Sequence, residues 1–174
     1  NFITSVSQSG IGVVLVLAGL WQFYVFSTSC GDAHKLKDVA FLEIEQAREE
    51  GVLTHKGAAL LKSAESNLEH SLTLAPVDAY SWTYLAYAKL LSSDDRKEVV
   101  RLMTVSTANG GHQTRLVFFR LKIIPIIWAY TSEDERNIFA NQIRIAWKLD
   151  SKKTIEIMGS NLAKKILDER SRRM

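Results

Sequence analysis

AALLKSAESNLEHSLTLAPVDAYSWTYLAYAKLL, residues 58–91, decides the fold. On the near side of Pro76, Leu60, Leu61, Ala64, Leu68 and Leu72 recur at steps of three and four; on the far side Trp82, Leu85 and Ala86 do the same. That spacing places apolar side chains on one stripe of a helix, whereas a strand would alternate every second residue, and no stretch of the chain does so. Pro76 carries no N–H and stops the first helix. Asp78 supplies a carboxylate for the free N–H groups that open the second. Two helices separated by so short a break fold back on each other as a hairpin.

The same punctuation extends outward in both directions. DVAFLEIEQAREEG, residues 38–51, predicts a helix with Val39, Leu42 and Ala47 on its packed side and Gly51 as its terminator. Thr54 caps the helix that follows. Ser93, Asp94 and Asp95 open a fourth helix, which Asn109-Gly110-Gly111 closes. Thr131 or Ser132, with Asp134 or Glu135 three residues on, makes a capping box for a helix carrying Ile138, Phe139, Ile143, Ala146 and Trp147. Ser151 is expected to cap a last helix bearing Ile155, Met158, Leu162 and Ile166. Between them lies HQTRLVFFRLKIIPIIWAY, residues 112–130, the most apolar stretch after residue 30. Pro125 is expected to break or kink it, with Leu116, Phe119, Ile123 and Ile127 closing the core. Its alternating arginines and aromatics also suit a helix half-embedded in a membrane surface. The fold class read from these signals is all-α.

The quoted stretch resembles the junction between two tetratricopeptide repeats. Ala64, Leu68, Ser71 and Pro76 match the second helix of one repeat; Trp82, Leu85 and Ala86 match the first helix of the next, and Leu102 a large apolar place beyond. Small residues there let paired helices approach while large ones fill the groove between them. Lys89, Glu98 and Gly110 depart from the pattern, standing where an aromatic, a small residue and a proline belong. The resemblance covers residues 38–108, about two repeats, and implies antiparallel helical hairpins that bind other proteins. Residues 31–108 are therefore read as the repeat-like domain and 109–174 as helices that complete it. The resemblance places Tyr80, Thr83, Tyr87 and Leu90 on an inner, partner-binding surface. Tyr87 and Leu90 have the alternative of packing against the preceding helix.

Ahead of this domain, residues 1–30 contain no charged side chain. IGVVLVLAGLWQFYVF, residues 11–26, extended through Ser27-Thr28-Ser29-Cys30, gives the roughly 20 residues a helix needs to cross a bilayer. Ile11, Val14, Leu17 and Leu20 belong to its apolar body; Trp21, Tyr24 and Phe26 gather toward the end where aromatic rings favour the headgroup level. The segment is expected to stay on the chain as a single-pass anchor, with lipid around residues 11–30, and Asn1 in place of a methionine suggests residues ahead of it. His34, Lys35 and Lys37 just past the span favour a cytoplasmic domain by the positive-inside rule. An N-terminal span with a bulky C-terminal domain favours the outward layout, and the expectation is a bacterial inner-membrane protein with its domain on the periplasmic side.

Charge divides the remainder. Residues 31–93 hold 6 basic and 9 acidic side chains, residues 94–174 hold 16 and 10, so a basic C-terminal surface is expected. Arg115, Arg120, Arg170, Arg172 and Arg173 are its candidates. Acidic proteins, phospholipid headgroups or nucleic acid could meet it, or it could be a solvated helix face. No basic run interleaved with aromatics supports nucleic acid.

Chemistry finds no foothold. His34, His55, His70 and His112 are scattered without metal-ligand spacing, Cys30 has no base near it, and no glycine-rich phosphate loop occurs. No catalytic residue, metal, cofactor or small-molecule substrate is expected. The expected role is a membrane-anchored interaction scaffold or assembly factor. An accessory structural subunit of a large membrane complex is the alternative, followed by a membrane-surface enzyme.

Overall fold

A computed structural model describes residues 31–159. The span expected at Ile11–Cys30, the helical continuation through Leu162 and Ile166, and Arg170, Arg172 and Arg173 lie outside the described residues. Within them the chain is all-α, with α1 (31–50), α2 (His55–Leu74), α3 (Ala79–Ser92), α4 (Arg96–Gly110), α5 (Thr114–Ile127), a 3-10 turn (Trp128–Tyr130), α6 (Glu133–Leu149) and α7 (Ser151–Met158). Among the described residues no helix is long and apolar enough to cross a membrane.

Helix starts follow the short polar side chains. Thr54 Oγ1 accepts from Gly57 N, Asp78 accepts from Tyr80 N and Ser81 N, and Asp95 accepts from Glu98 N. Ser132 and Glu135 form a complete capping box ahead of α6. Asp150 caps α7 in place of the expected Ser151; its side chain accepts from Lys153 N, and the carboxylate suits the positive helix start better than a hydroxyl.

Successive helices pack as a stack of hairpins. From α2 onward each lies against the next, and α3 touches α5, α4 touches α6, and α5 touches α7. Contacts confined to neighbours and next neighbours are compatible with a helical-repeat fold. α1 joins the stack through Glu43, which accepts from Ser63 Oγ at 2.7 Å and Asn67 Nδ2 at 3.0 Å on α2. Ser71 Oγ donates to the Ala33 carbonyl at 2.9 Å. A single apolar core runs through the stack, from Ile44 of α1 and Leu61 and Leu68 of α2 to Leu121 of α5 and Phe139 of α6. Of the positions carrying the resemblance, Ala64, Leu68, Ser71, Leu85, Ala86 and Leu102 are buried, while Trp82 is half-buried and Pro76 exposed. Lys89 pairs with Glu65 across the α2–α3 seam, a polar substitute for the aromatic otherwise expected there.

Two helices differ from their sequence reading. α1 buries Ala47 as expected but turns Val39 and Leu42 to solvent, 47% and 60% exposed, and buries Ala33, Lys37, Ala40 and Ile44 in their place. Alanines admit α2 and α3 at close range, so the small residues mark the packed face. α5 runs through Pro125 to Ile127 without breaking, because the proline lies in its last turn and its missing donor costs one bond before the 3-10 turn takes over. α5 is also no half-embedded surface helix: Leu116, Val117, Phe118, Leu121, Ile123, Ile124 and Ile127 are buried in the protein core.

Candidate functional site

α3 is the central helix of the stack, and its side chains divide sharply. Ala86 and Leu85 point into the core, while Tyr80, Tyr84 and Tyr87, spaced four and three residues apart, share a half-buried face turned toward α1 and α5. On that face the rings form a chain. Phe41 of α1 lies 4.8 Å from Tyr84, Tyr84 stands 5.7 Å from Phe119 of α5, and Tyr87 meets Phe119 edge-on at 5.3 Å and 89°. Tyr80 extends it, 6.1 Å from Tyr84. Each such pair contributes about 0.5–1.5 kcal/mol beyond area burial, so the face is held in shape as well as exposed. Burial raises Tyr84 and Tyr87 above the ordinary tyrosine value, and both stay neutral hydroxyl donors at physiological pH.

Below this chain lies a groove of about 620 Å³ between α1, α3 and α5, with Phe41, Tyr87, Phe119 and Ile123 among its apolar lining and Ile126, 52% exposed, at its rim. Glu45, Arg48, Arg96 and Lys122 provide its charges. A wider hollow of about 840 Å³ lies over α2, α3 and α4, where four carboxylates, Glu65, Glu69, Asp95 and Glu98, stand against Lys62 and Lys89; Lys89 pairs with Glu65, and Glu98 with Arg101 at 2.6 Å. The smaller groove differs in joining the apolar side chains of the aromatic face to an exposed lysine, Lys122.

Of the four residues expected on the inner surface, two are brought there. Tyr80 and Tyr87 lie on the face. Thr83 is fully buried toward α4, its hydroxyl donating to the Ala79 carbonyl at 2.9 Å and meeting Ser106 Oγ. Leu90 is core, reaching the groove only as part of its wall. Tyr84 takes the place expected of Thr83 on the face that Tyr80 and Tyr87 share. Tyr84, Phe41 and Phe119 were missed; the signal for Tyr84 was present in the four-then-three spacing of the tyrosines.

Arg115 is exposed, as a basic surface requires. Arg120 is not a surface residue: it is fully buried. Its guanidinium donates to the Ser106 carbonyl at 2.7 Å, Ser106 Oγ at 2.8 and 3.2 Å, the Gly110 carbonyl at 2.9 Å and Gln142 Oε1 at 3.1 Å. Gln142 in turn donates to the Gly111 carbonyl at 2.9 Å. No carboxylate is in this set. The counter-charge is the negative end of α4, whose last carbonyls have no partners inside the helix. Burial pushes the guanidinium down to about 10, well above physiological pH, so it remains a cation. It fixes α5 against α4 and α6, and α5 carries Phe119 and Lys122 to the groove.

At the other end of the face, nearly buried Lys37 of α1 reaches Asp78 at 3.5 Å and His34 Nδ1 at 2.8 Å, and lies 5.4 Å from the Tyr80 ring. This cluster closes the α1–α3 seam. Among the described residues no three His, Cys, Asp or Glu side chains gather as a metal site. In comparisons with known proteins the chain matches no family model, no curated protein and no solved structure.

Proposed function

We propose that this chain is a single-pass membrane-anchored interaction scaffold or assembly factor of a bacterial envelope, its domain a degenerate tetratricopeptide-like stack on the periplasmic side. The observation that carries the reading is the aromatic face running across α1, α3 and α5, with an apolar groove beside it. Three helices from three hairpins present one continuous surface, and aromatic side chains are the residue type that most often anchors a partner. The burial of Ala64, Leu68, Ser71, Leu85, Ala86 and Leu102 supports the repeat-like part of the reading. The uncharged segment 11–30 supports the anchor. Glu45 and Arg48 stand about 21–26 Å along α1 from residue 31, the first residue past the uncharged segment.

The test is affinity purification of the full chain from its membrane in mild detergent, wild type beside Tyr87→Ala and Phe119→Ala. Loss of co-purifying chains in the variants, with helicity unchanged, supports the docking face. Undiminished retention by both folded variants refutes it. A partner that stays at fixed stoichiometry with either variant but leaves when residues 11–26 are exchanged for another apolar span favours the accessory-subunit role.

A further inference from the structure

The charges around the groove narrow what can occupy it. Glu45 is matched by Arg48 at 3.0 Å, and Arg96 donates to the carbonyls of Leu90 at 2.9 Å and Ser93 at 3.1 Å while pairing with exposed Asp94 at 3.5 Å. Lys122 differs: among the described residues no carboxylate lies within ion-pair distance of it, and its ammonium sits 5.9 Å from the Phe119 ring. Arg48, Arg96 and Lys122 line this groove, and with Glu45 and Asp94 answering the two arginines the excess positive charge is that of Lys122. An apolar floor beneath an excess of positive charge excludes water while keeping the field strong, and it selects for the opposite pattern in a ligand.

We infer that the groove binds an acidic segment of a partner protein, one aromatic or aliphatic side chain seated between Tyr87, Phe119 and Ile126 and a flanking carboxylate meeting Lys122. This rests on the docking role proposed above and adds the chemistry of the partner. A basic segment would leave Lys122 unmatched and crowd it against like charge. An uncharged one would use the floor alone.

The test uses the full chain in non-ionic detergent and fluorescein-labelled twelve-residue peptides, followed by anisotropy. One peptide alternates Leu or Phe with Asp and Glu, a second replaces the acids by Lys, and a third replaces the apolar residues by Ser. The acidic apolar peptide should bind at least tenfold tighter than either control, and Lys122→Glu should weaken it about five- to tenfold, since an exposed ion pair is worth at most a few-fold on removal and reversal adds repulsion. Added salt should weaken it as well. Equal or tighter binding of the basic peptide overturns the inference, as does indifference to Lys122→Glu. Short-chain phosphatidylserine is the lipid arm: if it binds through Lys122 more tightly than the peptide, a membrane surface is the ligand and the inference fails. Loss of co-purifying chains in Tyr87→Ala and Phe119→Ala, with no effect of Lys122→Glu, would overturn the acidic segment while leaving the docking face standing. No effect of any of the three on folded protein removes both.

Discussion

Replacing Arg120 by methionine keeps most of the side-chain length and removes every donor. The Ser106 carbonyl and Gln142 Oε1 would then lack the guanidinium, and the Gly110 carbonyl would keep only Gln113 N at 3.3 Å. Each stranded acceptor costs about 1–3 kcal/mol and the third lost bond about 1 kcal/mol, so the loss is roughly 3–7 kcal/mol. Against it stands the relief of burying a cation. The drop of the guanidinium from 12.5 to about 10 sets that relief at about 3 kcal/mol. The acceptors win, and the net destabilisation is about 2 kcal/mol. Arg120→Ala should cost about 2 kcal/mol more, because the vacated stem leaves a cavity. For a chain of this size 1 kcal/mol corresponds to about 2–4 °C, so Arg120→Met should lower the melting temperature by about 4–8 °C. Circular dichroism of the full chain in detergent reads this, with urea titration as the second measurement. A neutral or stabilising Arg120→Met would refute the reasoning, showing that the end of α4 does not depend on this side chain.

Asp78→Ala removes an acceptor for Tyr80 N, Ser81 N and Ser81 Oγ and leaves nearly buried Lys37 without its carboxylate; about 2 kcal/mol should be lost, with Asp78→Asn losing less than half of that in the same melts. Gly57→Ala would improve helix propensity by about 1 kcal/mol, but the added Cβ would lie 2.2 Å from the Gly51 carbonyl oxygen, so the variant should be less stable; a raised melting temperature would disprove that close approach. Lys89 is raised above its ordinary value of 10.5, chiefly by its hydrogen bond to Glu65, and a cation so held stabilises the fold fully below 10.5 and loses that contribution as pH rises through the folded value. The stability gap between wild type and Lys89→Met should therefore stay level from about pH 7 to 10 and narrow in the alkaline window above; a gap that already narrows between pH 7 and 10 would contradict the pairing.

Helix positions were legible because caps and breakers act within a few residues. Thr54, Asp78 and the Ser132–Glu135 box do their work whatever the rest of the chain does. The packed faces were harder, because packing depends on neighbours. In α1 the larger Val39 and Leu42 suggested the packed face along with Ala47, yet it is Ala33, Lys37, Ala40 and Ile44 that join Ala47 in the interior, while Val39 and Leu42 are exposed. In α3 the tetratricopeptide resemblance correctly placed Leu85 and Ala86 inside, but Thr83 and Leu90 follow them into the core. The exposed register belongs to Tyr80, Tyr84 and Tyr87, and only α1 and α5, distant in sequence, decide which rings they meet.

Arg120 is the sharpest case, because residue type and helical position point opposite ways. Arginine is rarely buried, and that prior places it on a surface. Its position says otherwise: Leu116, Val117, Ile123 and Ile124 stand three or four residues from it and are all core. Lys122, two residues on, falls on the opposite side of α5 and is exposed. The face of the helix outranks the chemistry of the side chain whenever a built acceptor set waits there, and here that set is the carbonyl end of α4. Those acceptors become visible only once α4 and α5 are folded together. The same turn of α5 that hides Arg120 presents Phe119 and Lys122 to the groove, so the buried cation and the exposed one are two consequences of a single helix rotation.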